Sequence, residues 1–138
     1  MSYKRIMVSG GFDPVHIGHI RMIRAAAEFG PVVVVANSDD WLMRKKGYVF
    51  MPWAERAEIL ESIKGVSYVV PVDDADDTVC AAIKEEYPHA FANGGDRKDN
   101  NVPEVALCEE MGIELIWNVG GGKIQSSSDL VRESKNEK

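Results

Sequence analysis

Arg5-Ile6-Met7-Val8-Ser9-Gly10-Gly11-Phe12-Asp13-Pro14-Val15-His16-Ile17-Gly18-His19 reads as a strand, a tight turn and the start of a helix. Arg5-Ile6-Met7-Val8 is an apolar, strand-like run. The adjacent Gly10 and Gly11 let the backbone turn tightly and come close to an anion. His16 and His19 then arrive three apart where a helix begins. A helix N-terminus offers unpaired N–H groups and a partial positive charge, so it suits phosphate. Two imidazoles beside it can donate hydrogen bonds to phosphate oxygens.

The alternation of strand and helix continues along the chain. Strands are expected at Lys4–Ser9, Val32–Ala36, Tyr68–Val72, Ala90–Asn93 and Glu114–Val119. Val32-Val33-Val34-Val35 is β-branched and continuous, as befits a strand buried on both faces. Helices are expected at Ile17–Phe29, Trp53–Ile63, Asp77–Tyr87, Pro103–Met111 and Ser127–Arg132. Pro52 and Pro103 supply start signals; Gly30-Pro31 and Gly112 supply stops. Strands separated by helices imply right-handed crossovers and a parallel sheet. The expected fold is α/β, a single doubly wound Rossmann-like domain over residues 1–138 with a five-stranded parallel sheet. Glu133–Lys138 reads as a frayed polar tail. Ligands on such sheets bind beyond the carboxyl ends of the strands, where Gly10–Phe12 and the segments after the next three strands fall.

A net charge of −6, from 16 Lys and Arg against 22 Asp and Glu, argues against a nucleic-acid partner, which needs a broad basic face. A small polyphosphate needs only a local cluster of cations and N–H groups. No apolar run is long enough to span a bilayer and no signal peptide is evident, so neither a membrane partner nor secretion is expected. Cys80 and Cys108 are remote in sequence and fall in expected helices, which implies free thiols in a reducing cytoplasm. Asp73-Asp74-Ala75-Asp76-Asp77 reads as a solvated loop capping the next helix rather than as a metal site. The histidine pair lacks the Cys or carboxylate partners of a zinc set. The glycines do not follow the dinucleotide fingerprint, and Gly120-Gly121-Gly122-Lys123 is followed by Ile124 where a phosphate-binding loop of the Walker type needs Ser or Thr.

Gly10–Asp13 with His16-Ile17-Gly18-His19 resembles the His-x-Gly-His signature of the nucleotidylyltransferase superfamily, in which that motif holds a nucleotide's triphosphate. Four further segments fit the resemblance. Asn37-Ser38-Asp39-Asp40 is similar to a segment of the heptose-phosphate adenylyltransferases, with a plain helix cap as the alternative. In Arg44-Lys45-Lys46-Gly47, Lys46 matches the family's phosphate lysine, with Lys45 the substitute if the register slips by one. Glu55-Arg56 matches a Glu-Arg pair that helps bind the ligands. Asn93-Gly94-Gly95-Asp96-Arg97 resembles a Gly-Gly-Asp segment, with Gly94 and Asp96 toward the nucleotide and Arg97 toward a phosphate, or else is a simple turn. Ser126, Ser127 and Ser128 resemble a segment that contacts the triphosphate, with an ordinary serine cap as the alternative.

The resemblance implies transfer of a nucleoside monophosphate from an NTP to a small phosphorylated acceptor, releasing pyrophosphate. His16, His19 and Lys46 are the implied catalytic residues. Gly10, Gly11, Phe12, Gly94, Asp96 and Ser126–Ser128 are the implied nucleotide contacts, and Asp13, Arg56 and Arg97 the implied acceptor contacts. Mg²⁺ is the implied cofactor, bridging the phosphates without a dedicated protein cage. The Arg-Thr pair of the glycerol-phosphate cytidylyltransferases is replaced by Gly121-Gly122-Lys123, which favours ATP and a sugar or polyol phosphate. A CTP-dependent enzyme acting on an alcohol phosphate, and a non-catalytic nucleotide-binding module, are the alternatives. A homodimer is compatible with the resemblance, and the sequence does not specify the oligomeric state.

Overall fold

The computed structural model describes residues 4–93, 102–117 and 119. Among these, five strands occur: β1 (Ile6–Gly10), β2 (Val32–Ala36), β3 (Val66–Val70), β4 (Ala90–Ala92) and β5 (Glu114–Ile116). Five helices lie between them: α1 (Ile17–Ala27), α2 (Asp39–Lys46), α3 (Trp53–Glu61), α4 (Cys80–Glu86) and α5 (Val102–Met111). The strands form one parallel sheet in the order β3-β2-β1-β4-β5. The chain winds outward from β1 to β3, then crosses back to β4 on the other side of β1. The carboxyl ends of β1 and β4 therefore mark the switch point, where such sheets bind ligands.

The strand period of two divides the core into two layers. Ile6, Val8, Val32, Val34, Ala36, Ala90 and Ala92 pack with Ile23 and Ala26 of α1 and Leu60 of α3. Met7, Val33, Val35 and Phe91 pack on the opposite face with Ala82 and Ile83 of α4 and Cys108 of α5. All five residues of β2 are fully buried, as its unbroken apolar run requires. Cys80 and Cys108 are free thiols, and burial pushes the Cys108 thiol up to about 11. Among the described residues, no helix is long and apolar enough to cross a membrane.

Several boundaries differ from those expected. No helix is expected between Val32–Ala36 and Trp53–Ile63, yet α2 occupies Asp39–Lys46 and is closed by Gly47 in the left-handed conformation (φ 84°). β3 starts two residues early because Gly65, at φ 101°, returns the chain sharply from α3. α4 starts at Cys80 rather than Asp77, because Asp77 has φ 65° and cannot begin a right-handed helix. The expected last helix, Ser127–Arg132, lies outside the described residues.

Gly65 and Gly112 offer a paired test of the backbone. A Cβ at Gly65 would lie 2.6 Å from Ala27 Cβ, whereas one at Gly112, also left-handed, would meet nothing within 4 Å. Gly65→Ala is expected to cost about 3 kcal/mol and Gly112→Ala about 1 kcal/mol, measured by urea unfolding.

Candidate functional site

The loop after β1 turns at Phe12 (φ 55°), not at its glycines. Gly10 and Gly11 serve packing instead. A Cβ on Gly10 would press on the Phe12 ring at 3.1 Å, and one on Gly11 on Leu42 and Trp41 of α2 at 3.2 and 3.3 Å. Phe12 is buried against the β1 layer and meets the edge of His19, with ring centroids 4.8 Å apart.

His16 is the N-cap of α1. Its Nδ1 accepts from the Gly18 N–H at 3.0 Å, and His19 Nδ1 accepts from the His16 N–H at 3.1 Å. This is a capping box built from two imidazoles. The bonds determine the chemistry as well as the helix start. An Nδ1 that accepts carries no proton, so in each neutral ring the proton sits on Nε2. The rings stack with centroids 3.8 Å apart. Burial drives the His19 pKa from 6.5 to about 4, helped by the neighbouring His16; burial also lowers that of His16. Both rings are thus neutral at pH 7 and offer paired Nε2–H donors.

A cleft of about 390 Å³ opens beside them, lined by Gly11, Phe12, His19, Trp41, Lys45 and Lys46, together with Asp13 and Pro14. Lys46 Nζ donates to the Asp13 carbonyl at 2.6 Å and its carboxylate at 3.2 Å, and lies 4.6 Å from the Tyr48 ring centre. One of its three donors is left over. Lys45 lines the same cleft, with its Nζ 5.6 Å from the Trp41 ring centre. Both readings of the lysine register therefore reach the site.

Asp13 and Arg56 are expected at the acceptor; the structure puts Asp13 in the wall of the cleft with its carboxylate buried, and Arg56 outside the lining. The Asp13 side chain is 1% exposed. It accepts from the Phe50 and Met51 N–H groups at 2.7 and 2.6 Å, clamping the loop after α2 onto the loop after β1. Burial pushes the Asp13 pKa up, but those N–H groups and Lys46 outweigh it and hold it below the usual carboxylate range. Arg56 is fully buried. It donates to the carbonyls of Met51, Gly11 and Asn37 at 2.9, 2.8 and 2.7 Å and to Asp39 at 2.6 Å. Its geometry is that of a positioning residue.

Asn37-Ser38-Asp39 acts as the helix cap: Ser38 Oγ accepts from the Trp41 N–H at 3.0 Å. Asp74 corrects the reading of its acidic run as wholly solvated. It is 3% exposed and accepts from Asn37 Nδ2, the Ser38 N–H and Ser38 Oγ at 3.0, 2.9 and 2.6 Å. Burial pushes its pKa up, and these hydrogen bonds bring it below the ordinary value. Arg44 turns away from the cleft to Asp77 and the Asp74 carbonyl. Among the described residues, no group of three or more His, Cys, Asp or Glu is placed to hold a metal ion. Gly94, Asp96, Arg97, Ser126, Ser127 and Ser128 lie outside the described residues.

Residues 7–132 match a family model described as cytidylyltransferase-like. The bifunctional protein HldE of Geotalea uraniireducens is 33% identical over 135 residues, covering 94% of this chain and 27% of that protein. HldE of a Nitratiruptor species is 36% identical over 122 residues, covering 86% and 26%. The chain spans about a quarter of the length of these curated relatives. Among solved structures, a lipopolysaccharide core biosynthesis protein from Thermoplasma volcanium superposes with a TM-score of 0.66 at 22% identity, covering 84% of this chain and 94% of that one. A bifunctional NMN adenylyltransferase/ADP ribose pyrophosphatase from Francisella tularensis gives 0.61 at 18%, covering 97% and 42%. At such identities the two superpositions speak to the fold.

Two predictions follow from the geometry. Arg56→Lys removes the planar fork and leaves buried carbonyls unpaired, so a loss of about 3 kcal/mol is expected in urea unfolding. The second concerns pH. His19 has a folded pKa of about 4, below its unfolded 6.5, so the unfolded chain binds more protons in that interval. Stability is expected to fall as pH drops from 6.5 to 4, and His19→Asn, whose Oδ1 can replace Nδ1 as the cap, should flatten that slope.

Proposed function

The chain belongs to the cytidylyltransferase-like family of nucleotidyltransferases, and on that premise we propose that it transfers a nucleoside monophosphate from an NTP, with ATP favoured, to a phosphorylated sugar or polyol. The observation that carries the reading is the pair of neutral histidines at the start of α1, each with Nδ1 accepting a backbone N–H. An oxygen of the acceptor phosphate attacks the α-phosphorus. The bond from that phosphorus to the oxygen bridging to the β-phosphate breaks, and pyrophosphate leaves with the electron pair. The acceptor phosphate is already ionised, so no general base is required. Catalysis then rests on alignment and on stabilising charge.

In this reading His16 and His19 donate from Nε2 to oxygens of the α- and β-phosphates. A neutral imidazole donates without surrendering its proton, which suits a site that binds charge but transfers no proton. Lys46, with Lys45 beside it, neutralises phosphate charge in the cleft. Mg²⁺ supplies further charge neutralisation when it arrives with the triphosphate. Asp13, the carboxylate of this cleft, is already committed to Phe50, Met51 and Lys46, so the metal would be held through phosphates and water. The preference for ATP and a sugar phosphate rests on the resemblance of Asn37-Ser38-Asp39 and Gly94-Gly95-Asp96 to the heptose-phosphate enzymes, and on the missing Arg-Thr pair.

The test is pyrophosphate release with Mg²⁺, comparing ATP, CTP, GTP and UTP against sugar, polyol and amino-alcohol phosphates. Acceptor-dependent release with ATP is expected; release with CTP alone would reassign the nucleotide, and nucleotide binding without release over the whole panel would overturn the transferase reading. His19→Asn keeps an Nδ1-like acceptor but loses the Nε2 donor. Its kcat is expected to fall at least about a hundredfold, with KM moving less.

A further inference from the structure

A second cavity, of about 220 Å³, lies at the carboxyl ends of β1 and β4. Its polar wall includes Ser9, Asn37, Thr78, Asn93 and Glu104, and Trp41 divides it from the cationic cleft by lining both. Among the described residues, no lysine or arginine lines it. Met22 lines it from α1, one helical turn beyond His19. A phosphate held at the histidines therefore has this cavity as its neighbour.

Glu104 is the unusual member of the wall. It is 7% exposed, and its Oε2 accepts from the Val79 N–H at 3.0 Å. Among the described residues, its other oxygen has no hydrogen-bond partner. A buried carboxylate oxygen without a donor is costly, so a ligand that brings one is favoured there. The rest of the wall narrows the ligand's chemistry. Asn37 Nδ2 is committed to Asp74, and Thr78 Oγ1 to Asp76 and the Cys80 N–H, but the Ser9 hydroxyl can both donate and accept, which matches a hydroxyl group, itself a donor and an acceptor. An alkylammonium asks for acceptors alone, and a second phosphate asks for cations. The volume equals the share of about seven waters at ~30 Å³ each, which suits a short polyol or one sugar ring.

We infer that Glu104 is a specificity-determining residue: its carboxylate binds hydroxyls of an uncharged polyol or sugar carried on the acceptor phosphate, and it repels acceptors bearing a second anion. This deepens the transferase reading above and rests on it. Asp77, at the same cavity with a side chain 55% exposed and paired with Arg44, adds a weaker negative charge.

Glu104→Gln keeps the shape and an acceptor for Val79 while removing the charge. The probes are a polyol monophosphate and the aldonic-acid phosphate of the same chain length. The wild-type protein is expected to favour the polyol in kcat/KM by roughly tenfold or more. E104Q should narrow that ratio about tenfold through the acceptor KM, with the NTP KM within about twofold. Asp77→Asn, on an exposed side chain, guards against a folding failure and should narrow it less. A folded E104Q with an unchanged ratio overturns the inference, as does a wild-type preference for an amino-alcohol phosphate. If the wild type releases no pyrophosphate with any acceptor, it is the transferase reading that fails. Calorimetric titration of the polyol phosphate then judges Glu104 separately: weaker binding to E104Q supports its role, and equal binding or none in both proteins overturns it.

Discussion

The buried guanidinium of Arg56 is the constraint around which the carboxyl end of the sheet is arranged. Its donors reach the loop after β1 through Gly11, the loop after β2 through Asn37, the first turn of α2 through Asp39 and the entry to α3 through Met51. Of these segments only Asn37 keeps a strand-like backbone bond, its N–H donating to the Gly10 carbonyl at 3.0 Å. A planar, permanently charged fork satisfies three carbonyls at once, which a lysine point charge cannot do. Asp74 performs a similar task from the loop after β3, gripping Asn37 and Ser38. Asp13 completes the set by gripping Phe50 and Met51. Buried charged side chains thus supplement the regular hydrogen bonding where it thins out past the strands.

The histidine pair shows structure and chemistry sharing the same bonds. Capping α1 satisfies N–H groups that the helix would otherwise leave unpaired. The same capping forces the proton of each ring to Nε2 and keeps both rings neutral by holding them partly out of water. A serine and a glutamate could cap this helix as well. They could not also provide two neutral N–H donors side by side.

The layers of the fold were legible because their periodicity is strong. Val32–Ala36 was read with its boundaries intact, since a continuous β-branched run has few other uses. α2 was not read as a helix because Leu42 is its one buried residue, leaving little apolar rhythm to detect. Its signals were at its ends, Ser38 and Gly47. The histidine motif was visible as a local pattern. The burial of Arg56 was not, since it depends on carbonyls from Gly11, Asn37 and Met51 that only the folded chain brings together. Asp74 was hidden among neighbouring acidic residues, and Glu104 looked like any acidic residue in the first turn of a helix.

Trp41 stands in the wall between the cationic cleft and the polar cavity, and its ring lies against the backbone of Gly11. A partition shared by two rooms cannot be moved to enlarge one without shrinking the other. Divergence of such a scaffold toward bulkier molecules on either side would therefore proceed by paired changes, one at the partition and one at the far wall.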